Sequence, residues 1–391
     1  MRNNLDKFIS KRVAAVPPSG IRKFFDIAAQ NPKVISLSIG EPDFVTPKPF
    51  IDAAKASLDR GETAYTSNSG TLALRKAISK KTAALYGVTY DPDTEIFATV
   101  GVSEGMNAVA NAMCDFGDEV IIPQPCFVAY TAAVQFAGGT AVTVPTSGEN
   151  GFQIDGDAIE RCITPRTKAI LIGYPNNPTG GVNSRENMLS IARVAEKHDL
   201  VVWSDEVYDR LIYGNAKHVC FSALPGMRER TIMLGGFSKD YAMTGWRLGY
   251  VCGPRTLVDA AKKVHQYIIM SAPTMSQAAG VAALEQGEPY VASMLAEYDR
   301  RRTLLVRELN NMGLDCFEPR GAFYAFPNVS KSGMDGDVFA NTLLDEEEVA
   351  LVPGSAFGEC GRNHIRIAYA QSYERIEIAL ERLWKFMRRH G

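Results

Sequence analysis

The chain has 391 residues, of which 46% are hydrophobic and 22% are charged. This is the composition of a globular protein with a sizeable core, and it excludes a disordered or collagen-like chain. The 42 Lys and Arg residues nearly balance the 44 Asp and Glu residues, giving a net charge of −2. That balance argues against a nucleic-acid-binding or acidic-membrane protein, because both need a cationic surplus.

The cysteines and the N-terminus predict the compartment. There are seven cysteines, an odd number, and no two are spaced as CxxC, so neither a disulfide framework nor a zinc site is expected. The first twelve residues lack the apolar core of a secretory signal, and no run approaches the roughly 18 apolar residues of a membrane helix. We therefore expect a cytoplasmic protein with no metal, nucleic-acid or membrane partner.

Short apolar runs closed by Gly, Pro, Asn or Asp alternate with helical patterns through most of the chain. Seven such runs predict buried strands, at 95–100, 118–123, 140–145, 168–175, 199–206, 231–237 and 248–254. Helices are predicted between several of them, at 103–114, 127–137, 185–198 and 255–270. This alternation predicts an α/β fold with a mostly parallel seven-stranded sheet covered by helices. Ligands bind beyond the carboxyl ends of such strands.

The pattern changes after about residue 280. A long charged amphipathic helix is predicted near 288–311, followed by short strands around 321–326 and 364–369 and a final helix at 373–390. These elements predict a smaller α+β domain, onto which the Pro-rich N-terminal segment folds. We expect a large domain over 46–285 and a small domain built from 1–45 and 286–391.

Residues 101–105 read GVSEG, between a predicted strand and a predicted helix. This is the GxSxG pattern and context of a serine-hydrolase nucleophile, here Ser103, and Asp205 with His265 or His364 follow in the right order. The oxyanion element HGGG is missing. The alternative is a polar turn whose amides bind an anion at a helix N-terminus.

Polar side chains also follow other predicted strands. Lys239 lies in a Gly/Ser loop, where partial desolvation would make its amine nucleophilic, and Arg247 offers a planar fork suited to a phosphate. Asp205 ends an apolar strand, which is costly for a carboxylate that meets no cation. Asn177 lies in a turn after another strand. Taken singly, each residue also has an ordinary structural explanation as a solvated charge, a helix cap or a turn.

Taken together, these segments resemble the aspartate aminotransferase family, the fold-type-I enzymes that use pyridoxal 5′-phosphate (PLP). The matching elements are IGEPDF (39–44), TAYTSNSG (63–70), GVSEG (101–105), PCFVAY (125–130), YPNNPTG (174–180), SDEVY (204–208), GGFSKDYAMTGWRLGY (235–250), GAFYAF (321–326) and IRIAYA (365–370). They span nearly the whole chain, and SK followed by TGWRLGY is highly specific. The resemblance implies the PLP-dependent transferase fold of type I.

The resemblance also implies roles around the cofactor ring. Lys239 looks like the residue that forms the Schiff base and then carries a proton between the substrate Cα and the cofactor. Asp205 resembles the partner of the pyridine nitrogen, so its counter-charge would be the cofactor itself. Tyr208 and Asn177 look like the pair that bonds the 3′-oxygen of the ring, and Phe127 like the aromatic that stacks on it.

By the same resemblance, the cofactor phosphate is held by the Val102–Glu104 segment (Val102, Ser103 and Glu104), by Ser238 and by Arg247. The GxSxG motif is then better interpreted as an anion site than as a nucleophile. Many relatives carry a hydroxyl three residues before the lysine, where this chain has Gly236, and Ser238 is the candidate substitute.

Further residues are implied at the substrate and at a subunit interface. Arg366 matches the arginine that clamps the substrate α-carboxylate, and Gly40 sits where backbone approaches the same group. Tyr65 resembles a residue that reaches the phosphate of the neighbouring subunit, which implies a homodimer with shared active sites.

The predicted function is a PLP-dependent aminotransferase that moves the amino group of an L-amino acid, with aspartate favoured, to a 2-oxo acid such as 2-oxoglutarate. The alternatives are a β-eliminating C–S lyase on the same fold, the Ser103 hydrolase and a non-catalytic sensor domain. Arg22 and Lys23 are candidates for reading an acidic substrate side chain, although ordinary surface charges are the simpler interpretation.

Overall fold

The computed structural model describes residues 5–21 and 30–391. Arg22 and Lys23, the candidate readers of an acidic side chain, lie outside these residues. The strands are β1 (Ile35–Ser36), β2 (Ile96–Thr99), β3 (Glu119–Gln124), β4 (Thr140–Pro145), β5 (Thr167–Gly173), β6 (Val201–Asp205), β7 (Thr231–Gly236), β8 (Gly249–Cys252), β9 (Tyr324–Ala325), β10 (Val349–Ala350), β11 (Val352–Pro353) and β12 (Ile365–Ala368).

The α-helices of the described residues alternate with these strands. They are α1 (Lys11–Ala14), α2 (Lys48–Asp59), α3 (Leu72–Tyr86), α4 (Gly101–Met113), α5 (Ala129–Phe136), α6 (Gly156–Glu160), α7 (Arg185–Lys197), α8 (Arg255–Ile268), α9 (Thr274–Gln286), α10 (Glu288–Asn311), α11 (Gly336–Glu347) and α12 (Tyr373–His390). None of them is both long enough and apolar enough to cross a bilayer.

The seven strands predicted between residues 95 and 254 form one sheet, in the order β2-β8-β7-β6-β5-β3-β4. Neighbouring strands within this sheet pair in parallel, except that β8 pairs antiparallel with both β2 and β7. The predicted mostly parallel sheet is therefore confirmed. The central strands are buried on both faces, which is why they read as continuous apolar runs. The expectation of burial is wrong for β4, an edge strand with most of its residues at least partly exposed.

Local signals explain where several helices begin and end. The Thr71 hydroxyl accepts a hydrogen bond from the Leu74 amide at 3.3 Å, and Gly87 ends the same helix α3 with φ +70°. Ser184 and Ser372 cap α7 and α12 in the same way. Such caps satisfy backbone amides that have no partner within the first helical turn.

The C-terminal third forms smaller sheets beside the large one. β11, β12 and β9 make a three-stranded antiparallel sheet, and β1 pairs in parallel with β10. Their apolar side chains share a core with α10, α11 and α12, and this core also takes in Tyr208 and Ala242 from loops that follow β6 and β7. The second core therefore lies against the carboxyl edge of the large sheet.

Candidate active site

A cavity of about 490 Å³ lies between the carboxyl edge of the large sheet and the β9–β12 pair. It is lined by most of the residues predicted for the site: Gly40, Val102, Ser103, Phe127, Asn177, Asp205, Tyr208, Ser238, Lys239, Arg247 and Arg366. The fold brings these side chains together from positions that are far apart in the chain. Tyr65 and Glu104 are not among the residues that line this cavity.

Lys239 follows β7 and points into the cavity, where its Nζ donates a hydrogen bond to the Gly40 carbonyl at 2.5 Å. The amine also lies 5.6 Å from the ring centroid of Phe323 and 5.9 Å from that of Tyr208. Burial, and to a smaller extent the Arg366 cation, lower the pKa of Lys239 to about 8. A substantial share of this amine is thus neutral near physiological pH and able to act as a nucleophile.

Asp205 is the last residue of β6 and is buried. The Tyr130 hydroxyl donates to its Oδ2 at 2.8 Å, and the Val207 amide donates to its Oδ1 at 3.1 Å. Burial dominates and raises the pKa of Asp205 to about 6, against the opposing effect of the two hydrogen bonds. A carboxylate desolvated to this degree favours a cationic partner in the cavity.

Arg366, on β12, is 2% exposed, so its positive charge is buried as the Asp205 carboxylate is. One terminal nitrogen donates to Asn177 Oδ1 at 3.0 Å and the other donates to the Ser38 carbonyl at 2.5 Å. The buried Nε has no partner within residues 5–21 and 30–391. No carboxylate pairs with this guanidinium in the described part of the chain. Because a guanidinium only donates, the Asn177 oxygen faces Arg366 and its NH₂ group remains available in the cavity.

Two further tyrosines belong to the site, and sequence reasoning assigned neither a role. Tyr130 bonds Asp205, and the Tyr324 hydroxyl lies 2.7 Å from the Tyr208 hydroxyl. The Arg366 guanidinium lies 4.6 Å from the ring centroid of Tyr324. Both tyrosines fall inside motifs that the sequence analysis quoted, and that placement was the available signal.

An anion site lies at the N-terminus of α4. Gly101 has φ +72°, and a Cβ there would lie 2.7 Å from a terminal nitrogen of Arg247. Gly249 packs as closely, because a Cβ on it would lie 2.8 Å from the Val102 amide nitrogen. The glycines let the guanidinium approach the first helical turn, whose amides have no partner within the helix. Amides and guanidinium together form a site suited to a phosphate.

The structure gives a packing reason for Gly236. A Cβ at this position would lie 2.9 Å from Val102 Cγ2, so a side chain here would displace the residue that lines the anion site. Ser238 lines the cavity two residues further on.

The Ser103 hydrolase alternative lacks its triad. His265 Nδ1 contacts Glu104 Oε1 at 3.0 Å, and Asp205 is bonded to Tyr130. Within residues 5–21 and 30–391, no hydrogen bond joins Ser103 to His265 or His364. The GVSEG segment therefore has the geometry of an anion site without that of a nucleophile with its base.

The chain belongs to the family of class I and II aminotransferases, whose sequence profile matches residues 32–383. These enzymes depend on PLP, and the chain is accordingly a PLP-dependent aminotransferase. The predictions of family, fold, enzyme class and cofactor are confirmed.

Relatives of known name match over nearly the full length. The chain is 47% identical to "Putative aminotransferase YugH" of Bacillus subtilis, covering 98% of this chain and 99% of the relative. It is 44% identical to "Aspartate aminotransferase" of Pyrococcus abyssi, over 97% and 98%. It is 42% identical to "Aromatic-amino-acid aminotransferase 2" of Thermococcus litoralis, also over 97% and 98%.

Solved structures agree with the fold. An aspartate aminotransferase of Thermus thermophilus with maleate superposes with a TM-score of 0.92 at 37% identity, over 96% of this chain and 99% of that one. An aromatic aminotransferase of Pyrococcus horikoshii OT3 gives a TM-score of 0.90 at 42% identity, over 94% and 99%.

The residues of the cavity fit PLP. The anion site at α4 suits its phosphate, the buried Asp205 carboxylate suits its protonated ring nitrogen, and the half-buried Phe127 ring lines the cavity where an aromatic could stack. Lys239 supplies an amine for the aldehyde of the cofactor. The phosphate, the ring nitrogen and the aldehyde of PLP therefore each have a chemically matched partner on this chain.

Proposed function

We propose that the chain transfers the amino group of an L-amino acid, aspartate above all, to 2-oxoglutarate. The observation that carries this proposal is the convergence of Lys239, Asp205 and Arg366 on one cavity. An amine, a carboxylate and a carboxylate-binding guanidinium are the groups that transamination of an amino acid needs. Aspartate is preferred because relatives over the full chain bear that name, although one relative is named for aromatic amino acids.

The geometry supports the roles that the family resemblance implies. When bound, PLP supplies an electron sink that stabilises negative charge at the substrate α-carbon. Lys239 binds the cofactor covalently and, once released, removes and returns the α-proton. Asp205 keeps the proton on the ring nitrogen. The Asn177 NH₂ group and the Tyr208 hydroxyl hold the 3′-oxygen, with Tyr324 fixing the Tyr208 hydroxyl.

Substrate orientation is assigned to Arg366 and Gly40. The Arg366 fork is already fixed by Asn177 and Ser38, so little side-chain freedom is lost when it binds an α-carboxylate. Gly40 contacts the Tyr324 hydroxyl so closely that a side chain at position 40 would collide with it. The Gly40 carbonyl accepts the hydrogen bond from Lys239 Nζ. The lysine amine therefore lies close to the backbone that is proposed to approach the substrate carboxylate.

The test is the visible absorbance of the purified holoenzyme with a panel of amino acids. We expect aspartate to bleach the band of the lysine-bound cofactor and 2-oxoglutarate to restore it. A β-eliminating lyase would instead release ammonia and pyruvate from a cysteine conjugate without an acceptor. A band that no amino acid bleaches would contradict the proposal.

We also propose a homodimer with shared sites. Tyr65, predicted to reach a neighbouring subunit's phosphate, is 82% exposed and absent from the cavity of its own chain. An apolar stretch, residues 267–270, is also exposed; it begins in the last turn of α8 and continues past the end of the helix. Large exposed apolar side chains in a contiguous group are typical of a protein interface.

The proposed division into domains stays at 46–285 for the large domain and at 1–45 with 286–391 for the small one. Lys239 then belongs to the large domain and Arg366 to the small one, so a substrate bound to both would hold the domains together and exclude water. The cytoplasm is the proposed compartment, which the seven free cysteines support.

A further inference from the structure

Glu104 lies in the first turn of α4, yet its side chain turns away from the cavity. Its Oε2 accepts a hydrogen bond at 3.1 Å from the amide of Val100, the residue that precedes the helix. Of the three residues predicted to hold the phosphate on this turn, Val102 and Ser103 line the cavity and Glu104 does not. Its part in binding is therefore limited to its backbone amide.

The other carboxylate oxygen of Glu104 is held by His265 from helix α8. His265 is 0% exposed, and its Nδ1 lies 3.0 Å from Glu104 Oε1. Because a carboxylate only accepts, Nδ1 is the donor. His265 Nε2 is buried and has no partner in the part of the chain that the structure describes, and the Phe97 ring packs beside the imidazole at 5.3 Å between centroids. Glu104 is thus the polar contact of His265 among the described residues.

An unrestrained Glu104 would oppose phosphate binding through its charge. Glutamate near a helix N-terminus commonly reaches back to the N-cap amide, which is the bond that Glu104 makes to Val100. Its negative charge repels a phosphate bound at the same turn, at short range and away from bulk water. The second bond, to His265, fixes the carboxylate outside the cavity.

We propose that His265 is a positioning residue for the cofactor phosphate. Together with the Val100 amide, it holds the Glu104 carboxylate outside the cavity and directs its negative charge away from the anion. This inference rests on the cofactor assignment and adds to it a buried histidine that contacts neither cofactor nor substrate.

The test compares PLP with pyridoxal, which has the same ring and no phosphate. Dissociation constants are measured on apoprotein by absorbance titration. We expect His265→Phe to weaken PLP binding by about tenfold or more. The Glu104 carboxylate then lacks the hydrogen bond from His265, so its charge can approach the phosphate. Pyridoxal binding should change by less than about twofold, because no phosphate is involved. His265→Asn, which keeps a donor near the Nδ1 position, should restore most of the PLP affinity.

Glu104→Gln provides the second arm. Without the negative charge, PLP should bind at least as tightly as to the parent, and adding His265→Phe should change the affinity by less than about twofold. Phe97→Leu, which alters the packing beside His265 and removes no polar contact, is the matched control and should leave the ratio of PLP to pyridoxal affinity unchanged.

Two results would overturn the inference. One is an equal loss of PLP and pyridoxal affinity in His265→Phe, which would indicate a general packing role. The other is an undiminished loss of PLP affinity when Glu104→Gln is also present. A parent protein that binds neither PLP nor pyridoxal would overturn the cofactor assignment itself, an outcome distinct from both.

Discussion

At the scale of single residues, the site is organised around buried charges that have no counter-ion among the described residues. Asp205 and Arg366 are 7% and 2% exposed, and each is held by neutral hydrogen-bond partners. A buried charge of this kind is costly for the fold alone. In the proposed roles, the cofactor nitrogen and the substrate carboxylate offset this cost, and each charge can be tested by substitution.

Arg366→Lys should lower kcat/KM for every amino-acid donor by about 100-fold, mainly through KM, because a lysine cannot keep the bonds to Asn177 and Ser38 while binding a carboxylate bidentately. Steady-state kinetics with aspartate and phenylalanine check this. Arg362→Lys is the control, since Arg362 lies on the surface and bonds Glu359. A loss confined to kcat with KM unchanged would contradict the assignment.

The raised pKa of Asp205 predicts that the stability of the apoprotein depends on pH. The pKa of Asp205 in the folded protein, about 6, is above the ordinary value of 3.8, so the native state binds more protons than the unfolded state between these values and stability falls as pH rises through them. Asp205→Asn should therefore stabilise the apoprotein above pH 6 by up to about 3 kcal/mol. That gain should vanish toward pH 4.

Urea unfolding at several pH values measures the Asp205 effect. Asp115→Asn, at a side chain that is 93% exposed, should show no such dependence. A gain that is equal at pH 4 and pH 7 would refute the desolvation argument.

At the scale of elements, Gly101 takes a left-handed conformation beside Arg247 at the N-terminus of helix α4, where we propose that the cofactor phosphate binds. Gly101→Ala should raise the PLP dissociation constant by about tenfold or more, since the new Cβ collides with the guanidinium in addition to straining the backbone. Gly61→Ala is a matched control: φ is +75° there too, and no described residue other than its chain neighbours lies within 4 Å of the added Cβ.

Both glycine variants should lose about 1 kcal/mol of stability from the backbone strain alone. Thermal unfolding measures this common loss, and cofactor titration measures the loss specific to Gly101. Equal PLP affinity in the two variants would remove the proposed role of the close Gly101–Arg247 approach.

At the scale of the whole molecule, the exposed apolar stretch of residues 267–270 is proposed to lie in a dimer interface. Ile268→Glu should convert a dimer of the 42.7 kDa chain into monomers and weaken cofactor binding, because a charge would be buried in the interface. Ile378→Glu is the control, at a side chain 45% exposed on α12. Sedimentation velocity checks this, and a parent that sediments as a monomer would contradict the shared-site proposal.

The sequence predicted the elements that have strong local signals. The strands of the large sheet are short, β-branched and buried on both faces, and the amphipathic helices at 288–311 and 373–390 have the observed bounds. Helices α1, α2, α3, α6, α9 and α11 were not predicted. Of these, α9 packs through small residues, and a Cβ on its Gly280 would lie 2.5 Å from Leu248, so it shows no strong apolar period.

By itself, the sequence determined the family, the cofactor and most of the predicted cavity residues, because the reactive groups follow strands within specific local motifs. It placed Glu104 at the cavity, which the structure does not, and it assigned no role to Tyr130 and Tyr324, which line it. Only the tertiary structure decided which of those groups meet. Tyr130 and Asp205 are 75 positions apart, and His265 and Glu104 are 161 positions apart. Such pairs form where packed elements bring distant residues together, and local pattern carries no information about that distance.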